Sequence, residues 1–136
     1  MASRRKSTKP KNVIHEPDLY GNPVECTDTW WNTHIIDPIE GHPEMTGRQG
    51  DVAKAIRDPD VIRPSTKTGK AYAFETVSTS ETIRVIVYYD DPTMMTTGRT
   101  FGNVATAYPD SPAYSSQVGA PIYRKAASQP KKAGSN

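Results

Sequence analysis

The sequence predicts an α+β domain in which short N-terminal helices pack on a four-stranded antiparallel sheet, with disordered basic tails at both ends. Three observations predict this class. Apolar residues recur at helical spacing before residue 61 and with a period of two after it. The termini are rich in Lys, Ser, Pro and Gly, which disfavours a packed core there. We therefore assign 1–28 to a basic, irregular arm, 29–109 to the folded domain and 110–136 to an extended basic tail.

The clearest helix is predicted at 51–57. Asp51 is a suitable cap, and Val52, Ala55 and Ile56 fall on one helical face. Upstream, Pro43 suits the first position of a short helical turn. The helices therefore precede the sheet.

Two adjacent tryptophans open the folded part. Trp30 and Trp31 cannot both face one side of a strand. One is expected in the core, and the other either packs under the arm or is exposed for stacking.

Four strands are predicted after the helices, at 61–63, 71–77, 82–89 and about 98–108. The third is the best defined, because Ile83, Val85 and Val87 alternate with Arg84 and other residues of the opposite face. Short loops join the strands, so an antiparallel meander is expected.

The positive charge is concentrated at the ends of the chain. Residues 1–12 carry five Lys or Arg and residues 120–136 carry four, in both cases without an acidic residue. The remaining residues hold eight basic and all fifteen acidic side chains. Basic tails attract polyanions without sequence preference, although they also serve simply as solubilising ends.

A cytoplasmic protein without a membrane partner is expected from the remaining composition. The single cysteine, Cys26, excludes an intramolecular disulfide and suits a reducing compartment. No apolar run is long enough to cross a bilayer, and the basic N-terminus lacks the apolar stretch of a secretory signal.

Several kinds of chemistry lack their usual motifs here. One cysteine and three scattered histidines form neither CxxC nor HExxH, so neither a metal nor another cofactor is expected. Glycine-rich phosphate loops and the G-x-S-x-G elbow of serine hydrolases are missing as well.

The polar residues that remain suit metal-free RNA cleavage. This reaction needs a base for the 2′-hydroxyl proton, an acid for the leaving oxygen and polar groups that hold the phosphate. Imidazole titrates near neutral pH, which makes His34 and His42 candidates, with Glu44 to orient a ring or to serve as the base. Further catalytic candidates are Arg63, Thr106 and Tyr108, and the candidates for nucleic-acid binding are Arg48, Ser65, Lys67, Lys70, Arg4, Arg5 and Lys6.

Each candidate also has a purely structural explanation. His34 could be a buried core ring, and His42 with its neighbours could simply start a helical turn. Arg63 and Lys67 flank a hairpin loop, where basic side chains are usually solvated. The alternation around Thr106 is that of any strand.

The motifs of the chain follow a recognisable order. They are Trp31-x-x-His34-Ile35, Gly41-His42-Pro43-Glu44-Met45, Val52-x-x-Ala55-Ile56-x-Asp58-Pro59-Asp60-x-Ile62-x-x-Ser65, Ile83-Arg84-Val85-Ile86-Val87-Tyr88-Tyr89, Gly98 and Thr106-Ala107-Tyr108-Pro109. Over residues 30–109 this order resembles the phage and mobile-element branch of the barnase/EndoU/colicin/RelE-like (BECR) nucleases.

The resemblance implies metal-independent RNA cleavage at a site on one sheet face below the helices. By position, His34 and His42-Pro43-Glu44 match the front motifs, and Thr106 and Tyr108 match the closing strand. The implied roles are acid/base for His34 or His42, phosphate binding for Arg63 or Lys67, and transition-state donor for Thr106.

The leading hypothesis is therefore a metal-independent endoribonuclease that acts as a toxin or as a phage or mobile-element effector. RNA is its expected partner, together with an immunity or antitoxin protein or a phage assembly. Two alternatives stay open. One is a non-catalytic nucleic-acid-binding or phage structural accessory protein that uses its basic tails. The other is a protein–protein adaptor that presents a sheet edge or a tail.

Overall fold

The computed structural model describes residues 11–110 and 117–126. Its elements are β1 (Asn12–Pro17), β2 (Pro23–Thr27), α1 (Asp28–Trp30), a π-helical turn (Trp31–Ile35), a 3-10 turn (Pro43–Met45), α2 (Gln49–Arg57), β3 (Val61–Pro64), β4 (Ala71–Val77), β5 (Thr82–Tyr89), a 3-10 segment (Pro92–Thr97), β6 (Gly102–Pro109) and β7 (Tyr123–Arg124).

The strands form one mixed seven-stranded sheet in the order β1-β2-β6-β5-β4-β3-β7. The predicted four-stranded antiparallel sheet with N-terminal helices packed on it is therefore wrong. The four predicted strands correspond to β3, β4, β5 and β6, and β2 pairs in parallel with β6. The other three strands come from segments that the sequence pattern assigned to the arm and the tail.

A tight turn at Asp18–Asn22 converts the predicted arm into the β1–β2 hairpin. The Asp18 carboxylate accepts hydrogen bonds from the backbone N–H groups of Tyr20 and Asn22, both at 2.9 Å. Gly21 completes the turn with a φ of 93°, in the left-handed region that favours glycine. Tyr89 Oη then donates to Asp18 at 2.6 Å, so a buried hydrogen bond holds the hairpin to β5.

Pairing with β3 draws part of the predicted tail onto the domain. Ile62 and Val61 of β3 pair with Tyr123 and Arg124 of β7, and Ser65 forms an isolated bridge with Val118. These contacts cover what would otherwise be an open edge of β3. The predicted tail segments 111–116 and 127–136 lie outside the described residues, as do residues 1–10 of the predicted arm.

The core lies between α2 and one face of the sheet. Val52, Ala55 and Ile56 of α2 are fully buried and pack with the apolar residues of the strands. On β5 these are Ile83, Val85, Val87 and Tyr89, and the residues between them point to the other side of the sheet. We call that other side, opposite α2, the outer face.

The outer face contains a buried ion cluster across β3, β4 and β5. Glu75, which is 3% exposed, accepts from Arg84 Nε at 2.7 Å and from Arg63 Nε at 3.3 Å. Arg84 Nη1 also lies 2.8 Å from Asp110 Oδ1. Burial alone would lower the pKa of Arg84, but its hydrogen bonds to Glu75 and Tyr108 and the charges of Glu75 and Asp110 together outweigh burial and raise this pKa. The guanidinium of Arg84 therefore stays charged.

No helix in residues 11–110 or 117–126 has the length and apolar character required for a membrane span.

Replacing Arg84 with Leu should destabilise the protein strongly. The change leaves the Glu75 carboxylate buried with only the more peripheral Arg63, and breaking a buried pair in this way costs roughly 3–5 kcal/mol. Urea denaturation of the wild type and of Arg84→Leu measures the loss. The matched control is Arg57→Leu, whose exposed pair with Glu16 contributes at most about 1 kcal/mol. Equal losses of unfolding free energy in the two variants would contradict the conclusion that the buried Arg84–Glu75 pair stabilises the fold more than an exposed pair does.

Candidate functional site

The edge of β6 determines where the N-terminal helical segments lie. β2 pairs with β6 only through Val24–Gly102 and Glu25–Asn103, and the chain then turns into α1. The rest of this edge of β6 is available for contact, and both the π-helical turn and the 3-10 turn at Pro43–Met45 pack against β6. The edge is thereby covered by helical segments instead of a strand.

A β-bulge in β6 places Trp30 at this edge. Ile86 pairs with Thr106 and Val87 pairs with Val104, so Ala105 is an extra residue without a cross-strand partner. The indole Nε1 of Trp30 donates to the Ala105 carbonyl at 3.1 Å. His34 stacks on Trp30, with 3.6 Å between the ring centroids. The bulge and the tryptophan together bring His34 beside the closing strand.

A compact loop carries His42 to the same strand. The Asp37 carboxylate accepts from the backbone N–H groups of Ile39 and Glu40, and His42 N donates to the Ile35 carbonyl at 2.6 Å. At Gly41 a Cβ atom would lie 2.5 Å from the carbonyl oxygen of His34. Glycine is therefore required at position 41, because a side chain would prevent this close approach.

His42 contacts two of the other predicted site residues. Its ring centroid lies 4.9 Å from that of Tyr108, and its Nδ1 lies 4.0 Å from Glu44 Oε2. Burial lowers the pKa of His42, and the nearby charge of Glu44 opposes that shift only in part. The imidazole is therefore neutral at physiological pH, which is the state required of a general base.

Thr106 and Tyr108 both lie on the outer face of β6. Their cross-strand partners are Ile86 and Arg84, and two residues span roughly 7 Å along a strand. Thr106 lines a cavity of about 140 Å³, and Tyr108, which contacts His42, follows two residues later on the same strand face. The complete lining of this polar cavity is Ser65, Lys67, Ile86, Tyr88, Ala105, Thr106 and Gln117.

The predicted site residues thus fall into several groups. His42, Glu44 and Tyr108 form one contact cluster, and Ser65, Lys67 and Thr106 line the polar cavity. Arg63 is on the same face but is engaged with Glu75 and the Gly119 carbonyl. His34 belongs to the Trp30 stack instead.

Two predicted phosphate ligands lie away from this cavity. Arg48 precedes α2, where it pairs with Glu81 and Asp51, and its hydrogen bond to Glu81 is the main cause of its raised pKa. Lys70 lies in the β3–β4 connection, where its carbonyl accepts from Tyr89 N. Arg4, Arg5 and Lys6 lie outside the described residues.

The sequence interpretation missed an apolar groove beside the polar cavity. Trp30 and Tyr88, which are 40% and 44% exposed, line a groove of about 510 Å³. The other lining residues are Glu25, Cys26, Thr27, Asn103, Val104 and Ala105. Burial raises the pKa of Cys26 to about 12, so this thiol is unreactive. The signal that could have revealed the groove was the alternation on β5, which places Tyr88 on the outer face.

In the described residues, no three His, Cys, Asp or Glu side chains are grouped closely enough to hold a metal ion. Comparisons with protein-family models, with curated proteins and with solved structures find no match to this chain.

The lowered pKa of His42 should make the stability of the protein depend on pH. Just below the ordinary histidine pKa of about 6.5, the unfolded chain binds a proton that the folded chain binds less readily. The free energy of unfolding should therefore fall as the pH decreases through this range. Urea denaturation at pH values of about 7.5 and 5 measures the fall in the wild type and in His42→Gln.

In His42→Gln this part of the pH dependence should be lost. Replacing Glu44 with Gln should lower the pKa of His42 further, since the opposing charge is removed, and NMR titration of the imidazole measures that shift. An unchanged pH dependence in His42→Gln would show that His42 is not the titrating group.

Proposed function

We propose that the protein is a metal-independent endoribonuclease of the BECR type. The observation that carries the proposal is the contact of a neutral, largely buried imidazole with Tyr108, on the strand face where Thr106 lines a cavity together with Ser65 and Lys67. This combination offers a base and a phosphate-binding group on one sheet face. It agrees with the order of motifs that resembles these nucleases.

His42 is the general base in this proposal. Its lowered pKa keeps it able to accept the proton of the 2′-hydroxyl at neutral pH. The Glu44 carboxylate, near Nδ1, stabilises the imidazolium that forms. The packing against Tyr108 holds the ring in place while the proton moves.

The polar cavity holds the phosphate. Lys67 supplies a positive charge, and the hydroxyl groups of Ser65 and Thr106 donate to the phosphate oxygens as charge builds up in the transition state. The 2′-oxygen attacks phosphorus and the bond to the 5′-oxygen breaks. The products are a 2′,3′-cyclic phosphate and a 5′-hydroxyl, with the leaving oxygen protonated from solvent.

The proposal places the protein in the cytoplasm, where its RNA substrate is. An RNase of this kind needs control in the cell that makes it, so an immunity or antitoxin protein is the natural partner of a toxin. A phage assembly is the corresponding partner of a phage effector.

Purified protein should cleave single-stranded RNA in the presence of EDTA. His42→Ala should lower the cleavage rate by about 10²–10⁴-fold, because general-base catalysis of this kind contributes that much. Thr106→Val should also lower the rate, because a transition-state donor is lost. Gel analysis of a labelled RNA, with detection of 2′,3′-cyclic phosphate ends, measures the reaction.

The control is Thr79→Val, an exposed residue between β4 and β5 that should leave the rate unchanged. Intact RNA with the wild-type protein, or equal rates in His42→Ala and the wild type, would overturn the catalytic proposal.

The second candidate is a non-catalytic nucleic-acid-binding protein. It is favoured by the pairing of Arg48 and Arg63 with carboxylates and by the nine Lys or Arg residues, without an acidic residue, that the sequence places in 1–12 and 120–136. A chain without residues 1–10 and 127–136 separates the two candidates. A binding protein would lose its affinity for RNA, with a reduced salt dependence, whereas a nuclease would keep most of its cleavage rate.

A further inference from the structure

The apolar groove has two features that suit a flat ligand. The rings of Trp30 and Tyr88 are both partly exposed, and Val104 and Ala105 of β6 also line the groove. Trp30 is held in place by its hydrogen bond to Ala105 and by the stacked His34. Exposed aromatic rings that are fixed in this way are the usual platforms for unpaired nucleobases.

One part of the groove lining carries polar side chains. Glu25 and Asn103 are cross-strand partners on β2 and β6, and both line the groove. His15 Nδ1 lies 3.1 Å from Glu25 Oε2 and holds the carboxylate in place. Among the described residues, Oε1 of Glu25 has no such partner and can accept a hydrogen bond from a ligand.

The groove is adjacent to the polar cavity. Tyr88 and Ala105 line both spaces, so a ligand that places a phosphate near Thr106 could place an attached base beside Tyr88. This adjacency favours a nucleotide over an unrelated apolar ligand.

We propose that the groove is a base-binding subsite that prefers bases with an exocyclic amino group and disfavours uracil. Adenine, cytosine and guanine each offer an amino group to the Glu25 carboxylate. Uracil has no exocyclic amino group, and its one base donor, N3–H, lies between two carbonyl oxygens that the carboxylate repels. The inference rests on the proposed function, since it assigns the base that flanks the cleaved phosphate.

Binding of the four nucleoside 3′-monophosphates to the full chain tests the subsite without any cleavage. Quenching of tryptophan fluorescence can report binding, because Trp30 lines the groove whereas Trp31 is buried in the core. Uridine 3′-monophosphate should bind about tenfold more weakly than the other three. Equal affinity for all four would overturn the proposal.

Two variants test the assigned residues. Glu25→Gln should reduce the discrimination against uridine 3′-monophosphate to less than about threefold, because an amide both donates and accepts. The control Glu40→Gln, at an exposed loop position, should keep the discrimination. Tyr88→Ala alters an exposed side chain and should therefore fold. It should lower the affinity for all four nucleotides by about tenfold, because a stacking ring is lost. The subsite would be overturned by unchanged discrimination against uridine 3′-monophosphate in Glu25→Gln, or by unchanged nucleotide affinity in Tyr88→Ala.

The failure of this inference can be told apart from failure of the catalytic proposal. RNA cleavage that depends on His42 but shows no preference among the bases flanking the cut would overturn the subsite alone. Selective mononucleotide binding that depends on Glu25, with RNA left intact in EDTA, would support the subsite and overturn the catalysis.

Discussion

The buried carboxylate of Glu75 is the constraint on which the outer face of the sheet depends. It sits on β4 between Arg84 of β5 and Arg63 of β3, so one charge ties three adjacent strands together. The guanidinium of Arg84 also lies over the Tyr108 ring, with its Cζ atom 5.8 Å from the ring centroid. Tyr108 in turn contacts His42. A desolvated ion cluster thus supports the most chemically suitable imidazole of the chain, and this packing restricts where that imidazole can lie.

A second constraint acts at the edge of β6. The pairing of β2 with β6 ends at Glu25, so the helical segments cover the rest of this edge of β6. The extra residue Ala105 provides a carbonyl that accepts from the Trp30 indole. The two histidines of the front motifs consequently reach the same strand by different routes. His34 is positioned by stacking on Trp30, and His42 is positioned by the loop whose close backbone approach requires Gly41. The polar cavity and the apolar groove lie along β6 near these contacts.

The proposed ribonuclease site and base subsite use different properties of this face. The cavity offers hydroxyl groups and a lysine, which suit a phosphate that gains charge during reaction. The groove offers flat apolar surface with one carboxylate, which suits a base. The arginines that resemble phosphate ligands in the sequence, Arg48 and Arg63, are engaged with Glu81 and Glu75, so their charge mainly serves the fold. Lys67 is the basic residue that lines the cavity.

The sequence by itself determined the local elements of this protein. Alternation predicted β3, β4 and β5, and helical spacing with the following Asp58-Pro59 predicted α2, because these signals depend on near neighbours. Only the tertiary structure decided the number of strands. β1 and β2 are short and flank a turn, so their sequence gives a weak strand signal, and β7 is a strand only because it pairs with the edge of β3. The same holds for the site. Residue type marked His42, Thr106 and Tyr108 as candidates, but their proximity, the cost of burying His42 and the partners of Arg63 depend on contacts between residues far apart in the chain.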